Sequence, residues 1–507
     1  MKKKQILFFL ALASAQCIMA QVPSFVKDSL DVYVERSMKS WKIPGLAVCI
    51  VKDGQVVLMK GYGTKAMDGN DKVDENTLFM IGSNTKAFTA TSLALLDYEK
   101  KLSLDDKVTK WIPEFKLENK AAGQQAIIRD LLCHRLGFQT FQGDFTYWTS
   151  NLSRKEVIEK MGHIKAEYPF RTRYGYTNAA FLTAGEIIPK AIGISWEDFI
   201  RQRIFNPLGM TRSLALSSQL AAADNKALPH TVADGQLIKI PIPIIDNLAP
   251  AGSISSSAND LSKWVLMQLN EGMFNGKEVI PAAVIREIRK PHTIVGDGKP
   301  MFNEGHFALY GLGFFLEEYE GRKIVSHTGG VNGFVTSITL APEEKLGIIV
   351  LTNNDQNGLF EALKWEILDA YLALPYRNYS DVYLKNGEAY LNGLAATDKK
   401  KMDSVGLHLK TALPLSSYAG NYFNGVYGNM MVVLEDGGLR MKFSHHPNMY
   451  ANLESLGGNR FYAIFSDPEF SKAVFPFKVE NQKVKSVTVK VADFIEYNAY
   501  EFSKIAH

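Results

Sequence analysis

Phe79-Met80-Ile81-Gly82-Ser83-Asn84-Thr85-Lys86 joins a short apolar run to a helical pattern that continues to Tyr98. Within that pattern Ala87, Ala90, Leu93 and Leu96 recur at the spacing of one helix face. A serine hydroxyl is a weak nucleophile until a neighbour takes its proton. Residues i and i+3 share a helix face, so Lys86 can reach the Ser83 oxygen. A serine at the start of a helix also offers its own backbone N–H to a developing oxyanion, with the helix dipole behind it. The four-residue pattern is short and recurs at Ser24-Phe25-Val26-Lys27, on a charged helix where it reads as chance. The bland role for Ser83 is a helix N-cap.

Two further segments give Ser83 company. In Tyr174-Gly175-Tyr176-Thr177-Asn178, Tyr176 is a candidate proton carrier. Beside a lysine ammonium a phenolate is favoured, which predicts a tyrosine that accepts the serine proton and returns it to the leaving group. Tyr-x-Asn also begins at Tyr376, Tyr390, Tyr422, Tyr427 and Tyr450, in regions where aromatic–polar alternation is ordinary. The other segment is His327-Thr328-Gly329-Gly330, which ends a predicted strand and occurs once. Its glycines let a substrate carbonyl approach the backbone, and the Gly330 N–H is a candidate second oxyanion donor. The bland alternative is a glycine turn with a surface histidine.

Working outward, residues 24–41 read as an amphipathic helix ended by Pro44-Gly45. Leu46–Val51 and Val56–Met59 flank Lys52-Asp53-Gly54-Gln55, a hairpin signal. Residues 105–245 are mixed and mostly helical. Strand patterns return at Lys323–Ser326, Phe334–Leu340 and Leu346–Leu351, and Leu359–Leu372 reads as a closing helix. Early and late strands around a helical middle predict an α+β fold: one antiparallel sheet flanked by helices, with a helical lobe inserted. Residues 376–412 are charged and loosely helical, resembling a linker. From Leu415 onward, short alternating strands predict a small β-barrel or sandwich. The expected domains are 1–20, 21–375, 376–412 and 413–507.

The order Ser-x-x-Lys, Tyr-x-Asn, His-Thr-Gly resembles the class C β-lactamase and penicillin-binding-protein family, with its related esterases and D-amino-acid peptidases. The resemblance covers roughly 25–372. It includes Ile43-Pro44-Gly45, Ile128–His134, Pro250-Ala251-Gly252 and Leu346–Asn353. Residues 413–505 are similar to a β domain often appended to such hydrolases. The family implies Ser83 as nucleophile and Lys86 with Tyr176 as the proton-transfer pair. It implies that Asn178 positions Lys86 and the substrate, with His327, Thr328, Gly329 and Gly330 lining the substrate and oxyanion site. His327 departs from the lysine usual in β-lactamases of this family. A neutral histidine offers no fixed charge to a penicillin carboxylate. The balance therefore shifts toward an esterase or D-amino-acid-type peptidase. A β-lactamase, a non-catalytic penicillin-binding sensor and a transacylase to an alcohol remain alternatives.

The remaining signals are bounding. Lys2, Lys3 and Lys4 before the apolar Ile6–Ala15 predict a signal peptide cut after Ala20, hence export to the periplasm. A lipoprotein through Cys17 is disfavoured by Gln16 in front of it. Cleavage removes three lysines and lowers the formal charge from +4 to +1, so no nucleic-acid partner is implied. No second apolar run approaches a membrane span. Cys49 and Cys133 sit in apolar stretches and read as buried thiols. His134 reads as a core histidine, and His445-His446 lacks a third zinc ligand. No metal or cofactor is expected. Tyr422, Phe423 and Tyr427 read as barrel core or rim. The expected partner is a small-molecule or peptide substrate, in a pocket walled by loops from 135–150, 215–250 and 295–310.

Overall fold

A computed structural model describes residues 22–505. The predicted signal segment 1–20, with Cys17, lies outside the described residues. Eight strands form the main sheet: β1 (Gly45–Lys52), β2 (Gln55–Gly63), β3 (Thr293–Gly296), β4 (Ala308–Tyr310), β5 (Phe315–Tyr319), β6 (Arg322–Val331), β7 (Phe334–Ala341) and β8 (Leu346–Thr352). Their order is β2-β1-β8-β7-β6-β5-β4-β3, with β1 antiparallel to β8 through Val48 opposite Val350. The β1–β2 hairpin turns at Asp53 and Gly54, both at positive φ (49° and 79°), as the Asp-Gly dipeptide predicts.

The central strands are buried on both faces, so their sequences read as continuous apolar runs. Alternate residues serve different cores. Leu46, Val48, Ile50, Ile348 and Val350 pack with Leu30, Val34, Leu363 and Ile367 of the helices Leu30–Ser40 and Leu359–Tyr371. Ala47, Cys49, Ile349 and Leu351 face the opposite way, with Leu93 of the helix Thr85–Tyr98 and Val265 of the helix Ala258–Leu269. Cys49 and Cys133 are both buried free thiols.

The charged segment 376–412, expected to be loosely helical and linker-like, holds a helix of 27 residues, Tyr379–Val405. Its first turn is anchored: Tyr379 is buried, and the Ser380 N–H donates to the Tyr33 hydroxyl at 3.0 Å. Beyond it most side chains face solvent, and ion pairs such as Lys399–Asp403 support the helix locally. The C-terminal strands close into an eight-stranded barrel, sealed where Tyr422 pairs with Lys504 and Phe423 with Ser503. Tyr422 and Tyr427 are buried, whereas Phe423 is exposed.

The barrel is docked on the hydrolase-like domain through an apolar core that runs across both. Phe145 stacks on Tyr427 with centroids 4.8 Å apart and meets Phe443, His446, Phe470 and Tyr500. His446 accepts from the Tyr427 hydroxyl at Nδ1 (2.8 Å) and donates from Nε2 to the Trp148 carbonyl (2.8 Å). It is a neutral structural group, held by burial at about 4. A second contact brings two buried carboxyls close together, Asp355 after β8 and Glu469 of the barrel. Burial pushes both up, and the Asp355 charge adds to the rise at Glu469. A carboxyl whose folded value is raised contributes stability that is fully present below its unfolded value of about 4.5 and is lost as pH rises toward the folded one. Glu469→Gln is accordingly expected to melt a few degrees above the native protein at pH 9 and to lose that advantage near pH 5, by calorimetry across pH.

Candidate active site

Ser83 sits in the tight turn Gly82–Asn84 that feeds the helix Thr85–Tyr98. Gly82 is at φ +52°, and a Cβ there would meet the Gly330 nitrogen at 2.9 Å, so only glycine fits. That closeness brings the Ser83 backbone beside Gly329-Gly330 at the end of β6. Asn84 ties the turn to β7 through Thr336 Oγ1 (2.9 Å). The apolar residue pattern therefore delivers Ser83 to the edge of the glycine pair on which the sequence placed a second oxyanion donor.

Lys86 is wholly buried. Its Nζ lies 3.0 Å from Ser83 Oγ, 2.7 Å from Asn178 Oδ1 and 2.8 Å from the Ala251 carbonyl. The Pro250-Ala251-Gly252 landmark thus supplies an acceptor for the lysine. Tyr176 is nearly buried, with Ser83 the neighbour that favours its ionised form and its ring 4.5 Å from Lys86 Nζ. Ser24 and Lys27, the repeat of the four-residue pattern, lie on the N-terminal helical turn instead.

The electrostatics correct one expectation. Burial drives Lys86 well below the ordinary lysine value and Tyr176 above the ordinary tyrosine value. Desolvation disfavours both charged forms, so the site favours a neutral amine and a protonated phenol rather than the expected ammonium–phenolate pair. A neutral Lys86 donates to Asn178 and Ala251 and leaves its lone pair for the Ser83 hydroxyl.

His327 lines the cavity with both ring nitrogens engaged: Nε2 with the Tyr310 hydroxyl (3.0 Å) and Nδ1 with the Thr328 carbonyl (2.6 Å). Burial holds it at about 3, so it is neutral near pH 7. His134 is buried and accepts from the Thr177 N–H at Nδ1 (3.0 Å), bracing the Tyr176 loop.

Ser83, Tyr176, Asn178, His327, Thr328, Gly329 and Gly330 line one cavity of about 420 Å³, with Lys86 behind them. Its walls are aromatic: Phe141, Trp148, Tyr174, Phe315, Phe494 and Tyr497. Among the described residues no arginine or lysine lines it. The expected 135–150 loop contributes Thr140, Phe141, Asp144 and Trp148. The loops 215–250 and 295–310 do not line it, because the segment between the last two barrel strands brings Phe494, Ile495 and Tyr497 to that mouth.

Sequence reasoning missed Asp144. It is buried, and its Oδ2 accepts from Asn178 Nδ2 at 2.6 Å, on the far side of the amide from Lys86. Its only sequence signal was an acid in an aromatic-rich loop. The described residues hold no cluster of three or more histidine, cysteine or acidic side chains suited to a metal. No helix among them is long and apolar enough to cross a membrane.

Comparison with known proteins places this geometry. The chain is 27% identical over 454 residues to the unguisins hydrolase ungD of Aspergillus violaceofuscus, covering 82% of this chain and 79% of that protein. It is 26% identical over 339 residues to protein flp of Staphylococcus aureus, covering 64% of this chain and 63% of that one. Among solved structures, the octameric penicillin-binding protein homologue from Pyrococcus abyssi matches with a TM-score of 0.60 at 22% identity, over 94% of this chain and 99% of that one. A D-stereospecific amidohydrolase from Streptomyces sp. matches with a TM-score of 0.55 at 19% identity, over 67% and 98%. These likenesses show a shared fold. Residues 407–504 match a domain of unknown function (DUF3471). Residues 30–372 match the family model described as Beta-lactamase, and the chain belongs to that family.

Proposed function

We propose that the protein is an exported serine hydrolase that forms an acyl-enzyme on Ser83 and acts on esters or amides lacking an anionic handle. The observation that carries the reading is Lys86 Nζ, wholly buried, 3.0 Å from Ser83 Oγ and held by Asn178 and Ala251. Ser83 Oγ attacks the substrate carbonyl carbon as its proton passes to the neutral Lys86. The oxyanion forms between the backbone N–H groups of Ser83 and Gly330. The Tyr176 hydroxyl gives its proton to the departing oxygen or nitrogen, and the Lys86 ammonium returns a proton to Tyr176. Water then attacks the acyl-enzyme by the reverse route.

The cavity lining favours neutral, aromatic or aliphatic groups. With His327 neutral and no lysine or arginine lining the cavity among the described residues, a penicillin carboxylate has no charge partner in that lining. Esters and D-amino-acid-type amides therefore rank above β-lactams, in keeping with relatives named as a hydrolase and an amidohydrolase. The test is a panel of short-chain p-nitrophenyl esters, D-Ala-D-Ala peptides amidated at the C-terminus and penicillins, read by mass spectrometry for an adduct on Ser83. Ester or peptide turnover with a Ser83 adduct is expected, and Ser83→Ala should abolish both. Undiminished ester hydrolysis by Ser83→Ala sinks the reading. Export is tested by the mass of the secreted protein, expected to lack residues 1–20.

A further inference from the structure

We propose that Glu496 of the C-terminal barrel is a positioning residue for the active site, holding the turn that carries Asp144 and, through Asp144 and Asn178, keeping Lys86 in register with Ser83. The inference rests on the serine-hydrolase reading above.

The chain of contacts is continuous. Lys86 Nζ donates to Asn178 Oδ1 at 2.7 Å, and Asn178 Nδ2 donates to Asp144 Oδ2 at 2.6 Å. An amide held from both sides cannot flip, so its oxygen is committed to the lysine. Asp144 begins a one-turn helix after Gly143, whose φ is +102°. The Asp144 N–H is satisfied within the loop by the Phe141 carbonyl (3.0 Å). The N–H groups on either side are satisfied from the other domain. Gly143 donates to Glu496 Oε1 at 2.9 Å and Phe145 to Oε2 at 3.0 Å. Glu496 is fully buried, and the Tyr500 hydroxyl donates to the same carboxylate (2.9 Å to Oε2). A barrel side chain is thus a bidentate clamp on the turn that anchors the lysine's partner.

The clamp works as a carboxylate. Protonation converts one oxygen into a hydroxyl facing an N–H and breaks one arm. The groups facing Glu496 are Asp144 and Tyr147 from the hydrolase domain and Tyr500 and Lys490 from the barrel. Burial raises the carboxyl to about 7, while its hydrogen bonds and Lys490 pull the other way. The clamp therefore closes as pH rises through neutrality.

The experiment compares kcat and KM for a p-nitrophenyl ester from pH 5 to 9 in the full-length protein and Glu496→Gln, with thermal melts of each. An amide can accept from one N–H but presents its own NH₂ to the other. The expected result is a kcat about tenfold lower, a part of the roughly 10²–10⁴ that positioned acid–base groups supply. KM should move less than about threefold, and the acidic limb near pH 7 should flatten. A native pH profile in a folded Glu496→Gln overturns the proposal, as does a lowered kcat whose acidic limb has not moved, since that is the mark of a structural role alone. If Glu496→Gln does not fold, Tyr500→Phe carries the test. It removes one donor to the anion and keeps the ring, so the acidic limb should move to higher pH, and an unmoved limb overturns the proposal. The two levels separate cleanly. Activity in Ser83→Ala brings down the hydrolase reading, whereas an inactive Ser83→Ala beside an unchanged Glu496→Gln brings down only the clamp.

Discussion

Lys86→Met is expected to leave a folded protein whose ester hydrolysis is reduced at least about 10³-fold, in line with loss of a positioned general base. Methionine matches the length and much of the volume of the lysine stem, so the buried channel stays filled. What disappears is the lone pair 3.0 Å from Ser83 Oγ. Two effects on stability oppose one another. Removing a buried amine removes a desolvation cost, while the Asn178 oxygen and the Ala251 carbonyl each lose a donor, at about 1–3 kcal/mol per unsatisfied group. The melting temperature should therefore move only a few degrees while kcat collapses. The pH profile adds a second check. The active form is the neutral amine, present above a lysine value that burial has pushed well down, so native activity should rise with pH through that value. The residual activity of Lys86→Met should lack that rise and keep only the limb near pH 7 that the Glu496 clamp sets. A variant that keeps native kcat removes Lys86 from the chemistry.

The parts of this site that sequence makes legible are those whose chemistry and spacing are local. Ser83 and Lys86 stand one helical turn apart, and Tyr176 and Asn178 stand two residues apart in one loop. The alternating residues of β1 and β8 carry the sheet in the same way, since each half of an apolar run already states that two faces are buried. The sign of the proton transfer was not legible. Whether Tyr176 is a phenolate or a phenol depends on how dry the cavity is, and burial comes from Phe141 and His134, dozens of residues away in sequence. Asp144 and Glu496 were invisible for the same reason. Each is a lone acid in a loop, they are brought together from two domains, and neither spacing nor periodicity marks them. The segment holding the helix Tyr379–Val405 reads from sequence as only loosely helical because it is heavily charged. Its order comes from an anchored first turn and from backbone bonds that the composition does not advertise.

The docking of the barrel was equally hidden, yet it rests on one residue more than any other, and Phe145→Ala is expected to be the most destabilising substitution at the interface. Phe145 is 1% exposed although it belongs to a loop of the hydrolase domain, because its ring is inserted among five rings of the barrel. Truncating a buried phenylalanine costs about 3–5 kcal/mol, from lost transfer energy and the cavity left behind. The surrounding rings are pinned by their own contacts, such as Tyr427 and Trp148 through His446, so little collapse into the hole is available. The loss should fall on the contact between domains. Calorimetry should show the unfolding transition lowered by several degrees, with the barrel and the hydrolase domain separating into resolved steps as their coupling weakens. Activity should fall with it, because Phe145 adjoins Asp144 and shares its Glu496 clamp. Phe423→Ala is the matched control: it removes an aromatic from the same barrel at an exposed position and should stay within about 0.5 kcal/mol of the native protein. Equal melting of the two variants would mean that the barrel is a passenger, held by surface contacts and dispensable to the site it covers.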